Sequence, residues 1–170
     1  MDDFWVFGYG SLIWQPGFEF IDEQKAVLHG WRRSLCVHSW VHRGTQQLPG
    51  LVLGLDRGGS CSGLARKVSS KKRDAVIGYL RERELVTHVY KEKWVSVRLA
   101  QNLKVDALTY VVDRDHVQYA KPMAVEELVN IVRSAEGKSG LNRDYVANTV
   151  TSLKALGIRD YALERIARQL

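Results

Sequence analysis

The first thing this sequence lacks is cysteine: Cys36 and Cys61 are the whole complement in 170 residues, with no CxxC spacing and no paired histidine. That excludes a disulfide-stapled scaffold and a zinc knuckle, and it fits a reducing compartment. Repeats, low-complexity tracts and linkers are missing as well. No run approaches the roughly 18 apolar residues of a membrane-spanning helix. The acidic start, Met1-Asp-Asp-Phe-Trp5, is not that of a secretory leader. A soluble, cytoplasmic chain with no membrane partner is expected. His29, His38, His42, His88 and His116 are scattered, and the i, i+4 pair His38/His42 falls on a strand and turn, so no metal is expected.

What is present reads as ordinary globular usage, 45% hydrophobic and 26% charged, and the length suits a single domain over residues 1–170. The formal charge of +6 raises the question of an anionic partner. The only dense basic run is Arg66, Lys67, Lys71, Lys72 and Arg73. It lacks the interleaved aromatics that stack on bases, so no nucleic acid is expected and the run reads as a solvated turn and helix start. No heptad marks a partner helix, and the oligomeric state is not legible.

Strands are read in six places: a short apolar run at 4–7, period-two alternation at 35–40, a nearly continuous apolar run at 51–55, a stretch at 64–68, and alternation again at 93–99 and 105–111. Asp56-Arg-Gly-Gly59 reads as a hairpin turn between the third and fourth of these. Helical spacing appears four times. Ser70 is placed to cap a helix carrying Val76, Ile77, Leu80 and Glu84 on one stripe. Pro122 precedes a helix with Val125, Leu128, Val129 and Val132 on one face and Gly137 as its stop. Asn142 and Asp160 are placed to cap the last two. Strands first, one helix set among them, and helices last give an α+β domain with a mostly antiparallel sheet, open or closed into a barrel.

Three places carry possible chemistry. Val6-Phe-Gly-Tyr-Gly-Ser-Leu12 runs a short strand into two glycines and a hydroxyl residue, where backbone N–H groups can converge on an anion. A tight turn leaving an edge strand has the same letters. Gly59-Ser-Cys-Ser-Gly63 has the pattern of a nucleophile elbow, but a strand rather than a helix follows it, so Cys61 reads as a small hairpin residue. A cysteine hydrolase using Cys61 with His38 or His42 remains an alternative, as does a basic binding module centred on Lys71. Glu84 is the third. It shares a helical face with Val76 and Leu80, so desolvation is expected to raise its pKa and suit it to proton transfer. A helix-terminal ion pair with Arg81 or Arg83 fits that spacing equally well.

Taken together, these pieces resemble the ChaC family of glutathione-specific γ-glutamylcyclotransferases. The resemblance covers Val6 to Trp14, His42-Arg-Gly-Thr45 with Pro49-Gly50, Gly58-Gly-Ser-Cys61 with Gly63, Tyr79-Leu80 with Arg83-Glu84, and Gly137-Lys-Ser-Gly140 with Asn142 and Tyr145. It implies a small mixed or antiparallel β-barrel with flanking helices and no cofactor. It implies glutathione as the small-molecule substrate and Glu84 as the catalytic acid/base. Val6, Phe7, Gly8, Tyr9, Gly10, Ser11 and Leu12 would hold the γ-glutamyl group, with Arg43 and Tyr145 also on the substrate.

Overall fold

The computed structural model describes residues 2–170. Its contacts resolve into two compact units, Met1–Arg33 with Leu55–Asp113, and Ser34–Gly54 with Arg114–Leu170.

The first unit is built on strands β1 (Phe4–Gly8), β2 (Asp22–Ser39), β3 (Gly50–Val68), β4 (Tyr90–Arg98) and β5 (Lys104–Val112), of which β2 and β3 also supply residues to the second unit. They close into a barrel in the order β1-β3-β2-β4-β5. β1 runs antiparallel to β3, with Phe4 opposite Val68 and Gly8 opposite Leu64. It runs parallel to β5, with Trp5 opposite Ala107. That parallel seam makes the barrel mixed, and closure removes the open edges that sheets otherwise expose. The short helix α1 (Ser11–Trp14) follows β1, and α2 (Arg73–Glu84) joins β3 to β4. Helix α2 presses Val76 and Leu80 into a core shared with Phe4, Val6, Leu12, Val68, Leu108 and Tyr110.

The structure corrects several expectations. The hairpin at residues 56–59 does not form: β3 continues through it, and Gly58 and Gly59, at φ of +96° and +67°, sit inside the strand. Left-handed glycines within a strand bend or bulge it without reversing it. β2 begins at Asp22, well before the expected strand, because a charged start hides the inward pair Ala26 and Leu28. Ser70 caps nothing with its side chain. It opens a 3-10 turn before α2 and donates its N–H to the Asp3 carboxylate at 2.9 Å. The basic run is not uniformly solvated either, since Arg66 is 6% exposed.

In the second unit, α3 (Val125–Ser134), the strands β6 (Glu136–Gly137) and β7 (Gly140–Leu141), α4 (Asn142–Ala155) and α5 (Tyr161–Ala167) follow in order. The three helices contact one another, and Val129, Val132, Val146, Leu153, Leu163 and Ile166 on them are buried. Asp160 caps α5 as expected, accepting from the Leu163 N–H at 3.0 Å. Two other boundaries differ. Helix α3 ends before Gly137, whose bare Cα lies in β6 against the backbone of Val41 and Gly44. Asn142 is the first residue of α4 and not its cap. Fully buried, it accepts from the Leu51 N–H and donates to the Leu51 carbonyl, each at 2.8 Å.

That reciprocal pair predicts a stability loss. Asn142→Ala is expected to leave both Leu51 groups unsatisfied at a cost of about 2–3 kcal/mol. A fall of several degrees in the thermal midpoint, followed by circular dichroism, checks it. Asn142→Asp is expected to do worse, because a carboxylate cannot donate to the carbonyl.

Candidate active site

The last turn of α2 lies over the barrel core. Val76 and Leu80 are 5% and 0% exposed, and Glu84, one turn further along that stripe, keeps only 16% of its side chain in solvent. Arg81 and Glu82 face outward. Burial pushes the Glu84 carboxyl above the usual glutamate range, and the Arg83 guanidinium, Nε 3.4 Å from Oε1, pulls it back. Both earlier readings of Glu84 therefore hold together: it is desolvated on an apolar stripe, and it is ion-paired. Close by, Tyr110 is buried in the same core and donates its hydroxyl to Glu92 at 3.2 Å. Burial, Glu92 and Glu84 all raise the pKa of that phenol, so it stays protonated.

The other half of the site is the turn between β1 and α1. Gly63 on β3 lets the chain approach closely there, since a Cβ on it would stand 2.3 Å from the Gly8 carbonyl and 2.9 Å from the Phe7 ring. The carbonyls of the segment are fastened to the scaffold one by one. Phe7 accepts from the Thr109 hydroxyl at 2.9 Å and Tyr9 from Arg33 Nε at 2.6 Å. Gly10 accepts from the Ile13 N–H and Ser11 from the Gln15 N–H. Arg66 donates to the Leu12 and Ile13 carbonyls and to Glu23. Arg83 donates to the carbonyls of Gln15 and Pro16 and, at 2.8 Å, to the Ser11 hydroxyl. A trans peptide points its C=O and N–H in opposite directions. With the Tyr9 carbonyl turned to Arg33, the Gly10 N–H faces away from that guanidinium.

Of the residues expected at the site, Glu84 and Ser11 are joined through one guanidinium, that of Arg83. Val6, Phe7 and Leu12 are 2%, 0% and 6% exposed, so their side chains belong to the core and they can offer a ligand only backbone. Gly8 ends β1, and Tyr9 and Gly10 form the turn. In the second unit, the Arg43 guanidinium lies 5.5 Å from the centroid of the Tyr145 ring, and the Tyr145 hydroxyl accepts from the Leu53 N–H at 3.1 Å. Cys61 is 2% exposed in the middle of β3, without the strand-to-helix elbow a nucleophile needs. His42 contacts the Ser139 hydroxyl, and burial lowers the pKa of His38. No group of three or more histidine, cysteine or acidic side chains able to hold a metal occurs among the described residues. No helix among them is long and apolar enough to cross a membrane. Sequence reasoning missed Arg33 and Arg66 as anchors of the turn. The visible hint is a cation at an inward strand position, but Arg33 precedes the strand expected at 35–40 and Arg66 stands beside Lys67 in the basic run.

A shielded carboxylate on a helix is thus tied, through Arg83, to a glycine turn that arginines hold on a closed mixed barrel. The chain belongs to the ChaC-like protein family, whose model matches residues 4–170. It is 31% identical to the glutathione-specific γ-glutamylcyclotransferase of Escherichia coli K12, over 94% of this chain and 69% of that one. It is 32% identical to γ-glutamylcyclotransferase 2-3 of Arabidopsis thaliana, over 98% of this chain and 87% of the relative. The fold matches a yeast γ-glutamylcyclotransferase specific to glutathione with a TM-score of 0.88 at 21% identity, covering 99% of this chain and 96% of the yeast one.

Proposed function

We infer that this chain is a γ-glutamylcyclotransferase, a carbon–nitrogen lyase that cleaves glutathione to 5-oxoproline and cysteinylglycine with Glu84 as general acid/base. Family membership supports the reaction. The observation that carries the residue assignment is the shielded Glu84 carboxyl linked through Arg83 to Ser11 of the turn. One domain spanning both units and a cytoplasmic location complete the reading.

The reaction is an internal displacement. The glutamyl α-amine attacks its own γ-carbonyl carbon, a C–N bond closes the five-membered lactam, and the C–N bond to the cysteinyl nitrogen breaks. Nucleophile and electrophile share one molecule, so no covalent enzyme intermediate and no cofactor are needed. Folding the glutamyl chain supplies proximity, for which effective molarities of roughly 10⁵–10⁸ M are known. The Glu84 carboxylate takes the proton the amine sheds on attack and returns it to the departing nitrogen. Backbone N–H groups near Tyr9, Gly10 and Ser11 are offered to the substrate α-carboxylate or to the developing oxyanion. Arg43 and Tyr145 are further substrate contacts in this reading.

Purified protein incubated with reduced glutathione is expected to release 5-oxoproline, measured by chromatography, and none at all sinks the proposal. A panel with γ-glutamylalanine and oxidised glutathione then measures strictness. The pH profile follows from the site. Attack requires ionised Glu84, and burial favours its protonated form, so kcat/KM is expected to fall on acidification at a pH above the ordinary glutamate range. A profile flat down to the pKa of an exposed glutamate would contradict the assignment.

A further inference from the structure

Arg83 has partners on both halves of the site. Its Nε faces the Glu84 carboxylate at 3.4 Å. Its Nη2 donates to the Ser11 hydroxyl at 2.8 Å, and its Nη1 donates to the Gln15 carbonyl and, at 3.1 Å, to the Tyr79 hydroxyl. One planar cation thus spans the last turn of α2 and the segment from Ser11 to Pro16, holding the proton carrier and the turn in register. We propose that Arg83 is the positioning residue of this site, fixing the turn relative to the Glu84 carboxylate and keeping that carboxylate available in its ionised form. The inference rests on the functional reading above.

The neighbouring charges leave this task to Arg83. Arg81, on the same helix, is spent in a two-bond pair with Glu92 of β4, at 2.8 and 2.9 Å. Glu92 also accepts from Tyr110 of β5, whose buried phenol stays protonated. Around Glu84, then, desolvation works for the neutral acid and Arg83 works for the anion. Two jobs done by one guanidinium come apart in substitutions. A lysine keeps the charge but cannot present the fork of donors, whereas a glutamine loses the charge.

The test uses the full chain with ¹³C-carboxyl-labelled glutamate, Glu84→Gln serving to assign the Glu84 resonance. In Arg83→Gln the Glu84 titration is expected to move to higher pH, the acid limb of kcat/KM to move with it, and KM for glutathione to rise on the order of tenfold. In Arg83→Lys the titration is expected to stay near the wild-type position while KM still rises, giving a split that loss of stability alone does not produce. If Arg83→Gln does not fold, Arg83→Lys still decides: an unchanged KM overturns the positioning role. A Glu84 titration in folded Arg83→Gln that matches wild type overturns the electrostatic one. Absence of turnover in the wild-type chain would instead sink the functional reading, an outcome read in a separate arm.

Discussion

Replacing Glu84 by glutamine is expected to reduce 5-oxoproline formation by about 10²–10⁴, the usual worth of a positioned acid/base, while leaving the protein folded. The amide keeps the shape of the side chain and its place on the stripe with Val76 and Leu80, but it neither takes nor returns a proton. The stability effect has a definite sign. Burial raises the folded-state pKa of Glu84 above its unfolded value, so the folded chain holds the proton more tightly. Such a group stabilises the fold below its unfolded pKa and loses that contribution as pH rises through the folded one. Wherever Glu84 is ionised its charge is a burial cost offset in part by Arg83, and glutamine removes that charge. Glu84→Gln is therefore expected to melt no lower than wild type at pH 7 and to lose its advantage on acidification. Turnover by a folded Glu84→Gln protein at the wild-type rate would take Glu84 out of the mechanism.

The second large effect is structural and concerns Arg66. Its guanidinium donates to two successive carbonyls at the end of α1, Leu12 and Ile13, and to the Glu23 carboxylate at 2.7 Å. Helix α1 has four residues and cannot satisfy its last carbonyls internally. Arg66→Ala is expected to leave both buried carbonyls without their donor and to cost about 3 kcal/mol, near 6–12 °C in thermal midpoint for a chain of this size. Glu23 is 38% exposed and adds little to that figure, because water can replace its partner. Activity should fall even below the melting range, since the turn that precedes α1 loses one of its anchors. Arg66→Lys is expected to recover only part of the loss, because one ammonium cannot serve both carbonyls and Glu23 in a single plane. A melting point within a degree of wild type would show that the turn does not depend on this anchor.

These two predictions draw on different kinds of information. The position of Glu84 is legible in spacing alone, since residues 76, 80 and 84 fall on one helical face and burial of the first two draws in the third. The strands at 93–99 and 105–111 are legible for the same reason, their alternation being local, and the strand at 4–7 is legible as a short apolar run. The role of Arg66 is not legible. Its carbonyl partners lie 54 and 53 residues away along the chain, and in sequence it stands beside Lys67 as one more cation of a basic run. Asn142 misleads in a similar way. At a helix start it resembles a cap, yet its amide is used on Leu51, 91 residues earlier.

By itself, then, the sequence determined the local periodicities: which segments alternate, which face of α2 turns inward, and that a carboxylate rides on that face. Those follow from backbone geometry acting over a few residues. Tertiary structure alone decided that β3 continues through its two glycines without reversing, that the barrel closes on a parallel seam, and that Arg33, Arg66 and Arg83 hold the turn. Each of these depends on a partner brought close only by folding, and a long cationic side chain can satisfy any carbonyl the fold places within its reach.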